Sequence, residues 1–178
     1  MTTLEILKTT RAAWPSVRDI PEESRNRLLM AMADRLLSES EAILAANRLD
    51  LEAARGSISE VMLDRLRLDE KRLEGMADGV RAIAALPGHT GRVLEDFTRP
   101  NGMRIQKVQV PLGLVAIIYE SRPNVTSDAA ALCLKSGNVC VLRSGKEAHR
   151  SSVAIVQALR HGISDAGGDP AILGILED

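Results

Sequence analysis

The sequence predicts an α/β protein in three parts: a helical N-terminal segment (1–92), a β-hairpin (93–111) and the first β-α-β-α-β half of a doubly wound, Rossmann-like parallel sheet (112–178). Three observations predict it. Apolar residues recur at helical spacing in the first part and alternate at strand spacing in the second. In the third part, short and almost continuously apolar runs alternate with helical patterns, as in βαβ units.

Composition limits the functions that the protein can have. Its 178 residues, 45% of them hydrophobic, are enough to form a buried core and exclude a disordered chain. A net charge of −1 gives no basic surface to attract nucleic acid or anionic lipid. The aromatic residues Trp14, Phe97 and Tyr119 are too few and too scattered for base stacking.

Hydropathy and cysteine content predict the compartment. The longest apolar run, residues 112–119, is far shorter than a membrane span, and the N-terminus lacks the features of a signal peptide. Cys133 and Cys140 lie in apolar segments, and two thiols do not make a disulfide framework. We therefore expect a soluble, reduced, cytoplasmic protein.

The N-terminal part contains three helical patterns. After Pro21, a residue suited to a helix start, the apolar stripe consists of Leu28, Leu29, Met32, Leu36, Ile43 and Leu44. The opposite, solvent-facing side is expected to hold Arg25, Asp34, Glu39 and Glu41. A shorter helix after Ser59 should face the core with Met62, Leu63 and Leu66. A third helix starts near Asp69, stops at Pro87 and packs through Leu73, Met76, Val80 and Ile83.

The alternation of apolar and polar residues predicts the β-hairpin. In residues 103–110, apolar Met103 and Ile105 alternate with polar neighbours, and the phase then slips to Val108, as at a β-bulge or a change of packing face. Residues 93–97 supply the other strand, and Pro-Asn-Gly at 100–102 supplies the turn. Because an isolated hairpin is marginally stable, we expect this one to pack against other structure, such as a partner subunit.

Three buried strands and two helices are predicted from residue 113 onward. The strands cover 114–119, 139–142 and 171–176, and the first has the pattern of a strand covered on both faces. One helix covers 125–136 and ends at Gly137 as a left-handed cap, and the other covers 145–165. This β-α-β-α-β order implies parallel strands with right-handed crossovers.

The first candidate site is Ser144-Gly145-Lys146-Glu147, at the carboxyl end of the second strand. It has the Ser-x-x-Glu form of a capping box. Free amides at 145–147 and the charges of Arg143 and Lys146 would favour a phosphate, although the Glu147 carboxylate competes for the same amides. The alternative is a plain helix cap with two solvated cations. The segment is not a P-loop, because Glu follows Gly-Lys.

The second candidate site is the segment 119–124 (Tyr-Glu-Ser-Arg-Pro-Asn), at the carboxyl end of the first strand. Asn124 can present a side-chain N–H to a developing oxyanion, and Arg122 can hold a carboxylate or a phosphate. The alternative is structural: Asn124 caps the next helix and Pro123 fixes the loop. The spacing alone does not decide between them.

Metal sites and activated cysteines are not expected. Cys133, Cys140, His149 and His161 are not at zinc-binding spacing. Both thiols lie in apolar runs, where a thiolate is disfavoured, so we expect them in the core.

The run from Val110 to Ala148, VPLGLVAIIYESRPNVTSDAAALCLKSGNVCVLRSGKEA, closely resembles gamma-glutamyl phosphate reductases (glutamate-5-semialdehyde dehydrogenases), a branch of the aldehyde dehydrogenase superfamily. The resemblance extends over essentially the whole chain through AANRLDLEAAR, LDRLRLDEKRLEGMADGVR and RPNGMRIQKVQVPLG. It implies NADPH-dependent reduction of L-glutamyl 5-phosphate to L-glutamate 5-semialdehyde with release of phosphate, a step in proline biosynthesis. It also implies a cysteine nucleophile that forms a thioester, and a hairpin that serves oligomerisation.

By motif position, the resemblance assigns roles to residues of both segments. Asn124 matches the oxyanion-stabilising asparagine and is the expected catalytic residue. Arg143 and Lys146 are expected near the adenosine ribose and its 2′-phosphate, and the residues before Asn124 are expected to line the nicotinamide or the substrate. The complete set of expected cofactor-binding residues is Ser121, Arg122, Pro123, Arg143, Ser144, Gly145, Lys146 and Glu147.

The resemblance further implies that this chain matches only the N-terminal portion of such a reductase. The nucleophilic cysteine is expected outside the matched part, so the isolated chain should be inactive. Two alternatives stay open. One is a stand-alone, non-catalytic module that binds NADP or associates through the hairpin. The other is an unrelated nucleotide-binding protein that uses residues 144–147.

Overall fold

The computed structural model describes residues 1–176, which form helices, a two-stranded sheet and a three-stranded sheet. The helices are α1 Thr3–Ala12, α2 Pro15–Arg18, α3 Glu22–Ser38, α4 Ser40–Ala54, α5 Glu60–Leu66, α6 Glu70–Ala85, α7 Pro123–Lys135 and α8 His149–Asp165. The strands are β1 Val93–Thr98, β2 Arg104–Val108, β3 Leu114–Ile118, β4 Val139–Arg143 and β5 Leu173–Ile175. The predicted fold class is confirmed.

The predicted apolar stripe after Pro21 is confirmed, but two helices share it. Leu29 and Leu36 are fully buried on α3, whereas Ile43 is fully buried on α4, which begins after a break at Glu39. The side chains of Ser59 and Asp69 cap α5 and α6, so both predicted helix starts are also confirmed.

Two side chains of the helical part depart from the prediction. Arg25, expected on the solvent-facing side, is buried and donates through Nη1 to the backbone oxygens of Val17 and Ile20. The Val17 oxygen lies at the end of α2, where the last carbonyl groups lack partners within the helix, and Ile20 lies just after that helix. Met62, expected inside, is exposed because the short helix α5 buries its Leu63 side.

The predicted β-hairpin is confirmed: β1 and β2 pair antiparallel around a turn in which Gly102 has a φ of +85°. The register shifts on β1 between Val93 and Glu95, opposite the part of β2 where the sequence pattern slips. The irregularity expected from β2 is therefore accommodated by its partner strand. Several large apolar side chains of the hairpin are exposed, namely Val93, Leu94, Phe97, Met103 and Val108.

The larger sheet is parallel, as predicted, with the strand order β3-β4-β5. The central strand β4 is buried along Val139–Leu142. The expectation that β3 is covered on both faces is wrong for residues 1–176: it is an edge strand, with Ala116 exposed and Ile118 74% exposed. Its apolar run therefore has one half-buried face, with Val115 and Ile117, and one face that is mostly open to solvent.

Helices cover the parallel sheet and fix the loops that follow its strands. The helix α7 packs on β4, α8 packs on β5, and α3 lies against α6, α7 and α8. The helix α1 contacts β4 and β5, and a Cβ atom at Gly174 would lie 2.8 Å from Thr10 Oγ1. Within the described part of the chain, no helix is long and apolar enough to cross a membrane.

Candidate functional site

The loops after β3 and β4 lie side by side at the carboxyl edge of the parallel sheet. The Tyr119 backbone N–H donates to the Arg143 carbonyl oxygen at 3.1 Å, which extends the β3–β4 pairing by one residue. Beyond it, the Ser121 hydroxyl donates to the Glu147 carboxylate at 2.6 Å. The structure thus brings together residues of both predicted segments.

Gly145 permits this close approach. A Cβ atom on Gly145 would lie 2.6 Å from Ser121 Oγ and 3.2 Å from the Ser121 backbone nitrogen. Any larger side chain would push the two loops apart, so the glycine is required by packing at this position.

The predicted capping box at Ser144 is wrong. A 3₁₀ turn over Lys146–Ala148 precedes α8, and Ser144 makes no capping bond to it. Hydrogen bonds from the Ser121 hydroxyl and from its own backbone N–H lower the pKa of Glu147, so this carboxylate is engaged away from Ser144. The Ser144 hydroxyl is instead buried, with no hydrogen-bond partner among residues 1–176.

A carboxylate from α4 occupies the N-terminus of α8. Asp50 is 1% exposed, and its Oδ2 atom accepts from both the backbone N–H and the hydroxyl of Ser151 at 2.7 Å. This anion already satisfies a first-turn amide of α8, so the helix dipole contributes less to a phosphate site than predicted. The positive charge at this edge comes from the exposed residues Arg122, Arg143 and Lys146. Nothing in the spacing of the sequence indicated Asp50.

Asn124 lies in the first turn of α7, directly after the loop that contains Ser121. Pro123 is the first residue of α7 and Arg122 precedes it without a side-chain cap, so the alternative in which Asn124 caps the helix is wrong. The side chain of Asn124 is exposed and its Nδ2 atom donates to Asp128 Oδ2 at 3.4 Å. It lines a groove of about 350 Å³ between α6 and α7, together with Leu68, Arg72, Gly75, Met76 and Asp128.

A hydrogen-bonded chain that the sequence analysis missed supports the loop after β3. The Tyr119 hydroxyl pairs with Thr126 Oγ1 at 2.7 Å, and Thr126 Oγ1 contacts Ser152 Oγ at 3.3 Å. Burial raises the pKa of Tyr119, so its hydroxyl stays protonated. The chain ties β3, α7 and α8 together directly beneath the two loops. Its sequence signal is the YESRPNVT segment, which contains both Tyr119 and Thr126.

Comparison with known proteins gives a consistent set of relatives. The chain is 51% identical over 177 residues to a gamma-glutamyl phosphate reductase of Streptococcus suis. It is 56% identical over 172 residues to one of Neisseria meningitidis serogroup B. These alignments cover 99% and 97% of this chain. The chain matches the N-terminal portion of gamma-glutamyl phosphate reductases. No model of a protein family matches it.

The alignment covers less than half of each reductase. The chain spans 43% of the length of the Streptococcus suis protein and 41% of the Neisseria meningitidis protein. A gamma-glutamyl phosphate reductase of Thermotoga maritima superposes with a TM-score of 0.94 at 37% identity, over 98% of this chain and 42% of that one. A reductase of Saccharomyces cerevisiae gives 0.88 at 28% identity, over 99% and 47%.

Aldehyde dehydrogenases share the fold of this chain. A propionaldehyde dehydrogenase of Rhodopseudomonas palustris superposes with a TM-score of 0.68 at 15% identity, over 99% of this chain and 37% of that one. At this identity the similarity shows the fold alone. It agrees with the doubly wound, Rossmann-like arrangement predicted from the strand and helix order.

Both cysteines of this chain lie in the core. Cys133 is 8% exposed and Cys140 is 2% exposed. The hydrogen bond with Cys133, followed by burial, raises the pKa of Cys140 well above its usual value. Among residues 1–176, no three His, Cys, Asp or Glu side chains are grouped to hold a metal ion. The Cys140 side chain thus has the environment of a packing residue rather than a thiolate.

Proposed function

We propose that this chain forms the N-terminal portion of an NADPH-dependent gamma-glutamyl phosphate reductase that acts in proline biosynthesis. The reaction reduces L-glutamyl 5-phosphate to L-glutamate 5-semialdehyde and releases phosphate. The observation that carries the proposal is the identity of 51% to 56% with such reductases along nearly the whole chain. A stand-alone non-catalytic module is not favoured by this match.

Residues at the sheet edge fit a dinucleotide with a 2′-phosphate. The buried Ser144 hydroxyl has no hydrogen-bond partner among the described residues, and a bound ligand would supply one. Arg143 and Lys146 are exposed on either side of it and can form charge-assisted hydrogen bonds to phosphate. Gly145 lets the loops after β3 and β4 approach closely, and the Ser121–Glu147 hydrogen bond holds them together. When bound, NADPH supplies the hydride for the reduction.

Asn124 is proposed to stabilise negative charge on the acyl oxygen of the substrate. Its side chain lies in the first turn of α7, where Pro123 fixes the backbone and the positive end of the helix dipole is near. Its Nδ2 atom has two hydrogens, and the long contact to Asp128 engages one of them. The other can donate to an oxygen that gains charge in the transition state.

The nucleophilic cysteine is proposed to lie outside this chain. Cys133 on α7 and Cys140 on β4 are buried, and neither lines the groove where Asn124 is exposed. An oxyanion donor without a nucleophile gives no turnover. The isolated 178-residue chain is therefore expected to be inactive.

The hairpin is proposed to mediate self-association of the complete reductase in the cytoplasm. Along β1 all six residues are exposed, among them the apolar Val93, Leu94 and Phe97. An exposed apolar patch on a two-stranded sheet gains stability when a partner covers it. The proposed domain limits are 1–92, 93–111 and 112–178, with the hairpin separating the helical segment from the cofactor-binding half-sheet.

The proposed function is tested in a complete reductase that carries this chain as its N-terminal portion. Asn124→Ala should lower kcat about a hundredfold and leave the Kd of NADPH unchanged, because the lost donor acts on the acyl oxygen. The matched control is Asn101→Ala, which removes an exposed asparagine from the hairpin turn. Unchanged turnover in Asn124→Ala would remove the oxyanion role, and no reductase activity in the unaltered protein would overturn the function.

A further inference from the structure

Asp128 is a carboxylate in the groove between α6 and α7 that is not needed for the reactions described above. It lines the groove of about 350 Å³ on the α7 side, four residues after Asn124. Within residues 1–176 it forms no salt bridge, and its one hydrogen bond is the long contact from Asn124 Nδ2 at 3.4 Å. Burial raises the pKa of Asp128, and the hydrogen bond from Asn124 offsets this rise only in part.

The groove carries opposite charges on its two walls. Arg72 lies on α6, where its guanidinium donates to the backbone oxygens of Asp64 and Arg67 and to the Asp64 carboxylate. Among the described residues, Arg72 forms its ion pair with Asp64 and none with Asp128 on the α7 wall. A ligand that carries both an ammonium and a carboxylate complements such a groove.

The spacing of Asn124 and Asp128 matches the substrate of the proposed reaction. Residues i and i+4 of a helix lie on the same face with Cβ atoms about 5–6 Å apart. In L-glutamyl 5-phosphate, two methylene groups separate the acyl carbon from the carbon that carries the ammonium group. An acyl oxygen held by Asn124 therefore leaves the ammonium within reach of Asp128.

We propose that Asp128 binds the α-ammonium group of the glutamyl substrate and so makes the enzyme selective for an α-amino acid over the corresponding deaminated acid. This inference rests on the proposed function and names a specificity-determining residue for it. The bound ammonium would supply the positive charge that Asp128 lacks among residues 1–176. The pair would be a charge-assisted hydrogen bond in a partly buried groove.

The test uses the complete reductase in the reverse direction, in which aldehyde, phosphate and NADP⁺ give acyl phosphate, NADPH and a proton. Two probe aldehydes are compared: L-glutamate 5-semialdehyde and 5-oxopentanoate, which has hydrogen in place of the ammonium group. The unaltered enzyme should favour the amino aldehyde in kcat/KM by about tenfold to a hundredfold. Asp128→Asn should bring this ratio close to one, mainly through a higher KM for the amino aldehyde.

Two further variants make the outcome decisive. Asp128→Glu keeps the charge and should retain most of the preference, and Asp78→Asn, which removes an exposed α6 carboxylate paired with Arg81, should leave it unchanged. If Asp128→Asn slows both aldehydes by the same factor, the residue only positions Asn124 and the proposal is overturned. An unchanged ratio overturns it too. If the unaltered enzyme oxidises neither aldehyde, the proposed function itself fails.

Discussion

The Ser121 hydroxyl donates a 2.6 Å hydrogen bond to the Glu147 carboxylate and joins the loop after β3 to the loop after β4. This bond is the largest cause of the lowered pKa of Glu147, because it stabilises the ionised carboxylate. Ser121→Ala should therefore raise the pKa of Glu147 toward, but not up to, its ordinary value of 4.5, since the bond from its own backbone N–H remains. A carbon-detected NMR titration of the 178-residue chain measures the change.

The same substitution has a pH-dependent effect on stability. A carboxylate with a lowered pKa in the folded state stabilises the fold above its unfolded pKa, and this contribution is lost as the pH falls through the folded value. The difference in unfolding free energy between the original chain and Ser121→Ala should therefore shrink below about pH 4.5. Ser57→Ala, which removes a hydroxyl bonded to the Ala54 carbonyl, is the control that should show no such trend.

Lys146 should discriminate between the two nicotinamide dinucleotides. In the complete reductase, Lys146→Ala should weaken NADPH binding by about tenfold to a hundredfold and NADH binding much less, because only NADPH carries the 2′-phosphate. Lys71→Ala removes an exposed lysine from α6 and serves as the matched control. Calorimetric titration with both dinucleotides checks the prediction. Equal weakening of the two would mean that Lys146 does not contact the 2′-phosphate.

The sequence predicted those elements whose signal is local. The buried strand β4 is a short apolar run, and α7 ends at Gly137, whose φ of +78° is the left-handed cap expected there. The two loops at the carboxyl edge followed from the order of strands and helices. In each case neighbouring residues along the chain carry the information.

The parts that could not be predicted depend on contacts between distant residues. The predicted capping box at Ser144 does not form because the Glu147 carboxylate accepts a hydrogen bond from Ser121, which lies 26 residues earlier in the chain. The dipole of α8 is compensated by Asp50, which lies 101 residues before the Ser151 amide that it binds. The periodicity of a helix shows which face a residue occupies, but not which distant group meets it there.

A buried lysine connects α7 to α3 and to the end of α6. Lys135 is 6% exposed, and its Nζ atom donates to Glu22, to Asn26 and to the Ala84 carbonyl oxygen at 2.7 to 2.9 Å. Lys135→Met should lower the free energy of unfolding by about 1–3 kcal/mol, because the buried Ala84 oxygen loses its donor. Glu22→Gln should cost less than about 1 kcal/mol, because this carboxyl is partly exposed.

The effect of Glu22 should depend on pH. The hydrogen bond from Lys135 is the largest cause of the lowered pKa of Glu22. The stabilisation by Glu22 is therefore present above its unfolded pKa of 4.5 and is lost as the pH falls through the lower folded value. Urea denaturation at neutral pH and at about pH 3 should show the Glu22→Gln deficit only at the higher pH. A deficit that grows on acidification would contradict this assignment.

Gly162 allows α8 to approach α3 more closely than any other residue would. A Cβ atom there would lie 2.5 Å from the Ala31 carbonyl oxygen and 2.7 Å from Met32 Cα, so Gly162→Ala must separate the two backbones. Overpacking of this kind should lower the free energy of unfolding by about 1–3 kcal/mol. The control is Gly75→Ala on α6, where a Cβ atom would meet nothing within 4 Å and the higher helix propensity of alanine should add up to about 1 kcal/mol. Urea denaturation should therefore show a lower free energy of unfolding for Gly162→Ala and a slightly higher one for Gly75→Ala. Equal changes in the two variants would mean that the backbones of α3 and α8 do not meet at Gly162.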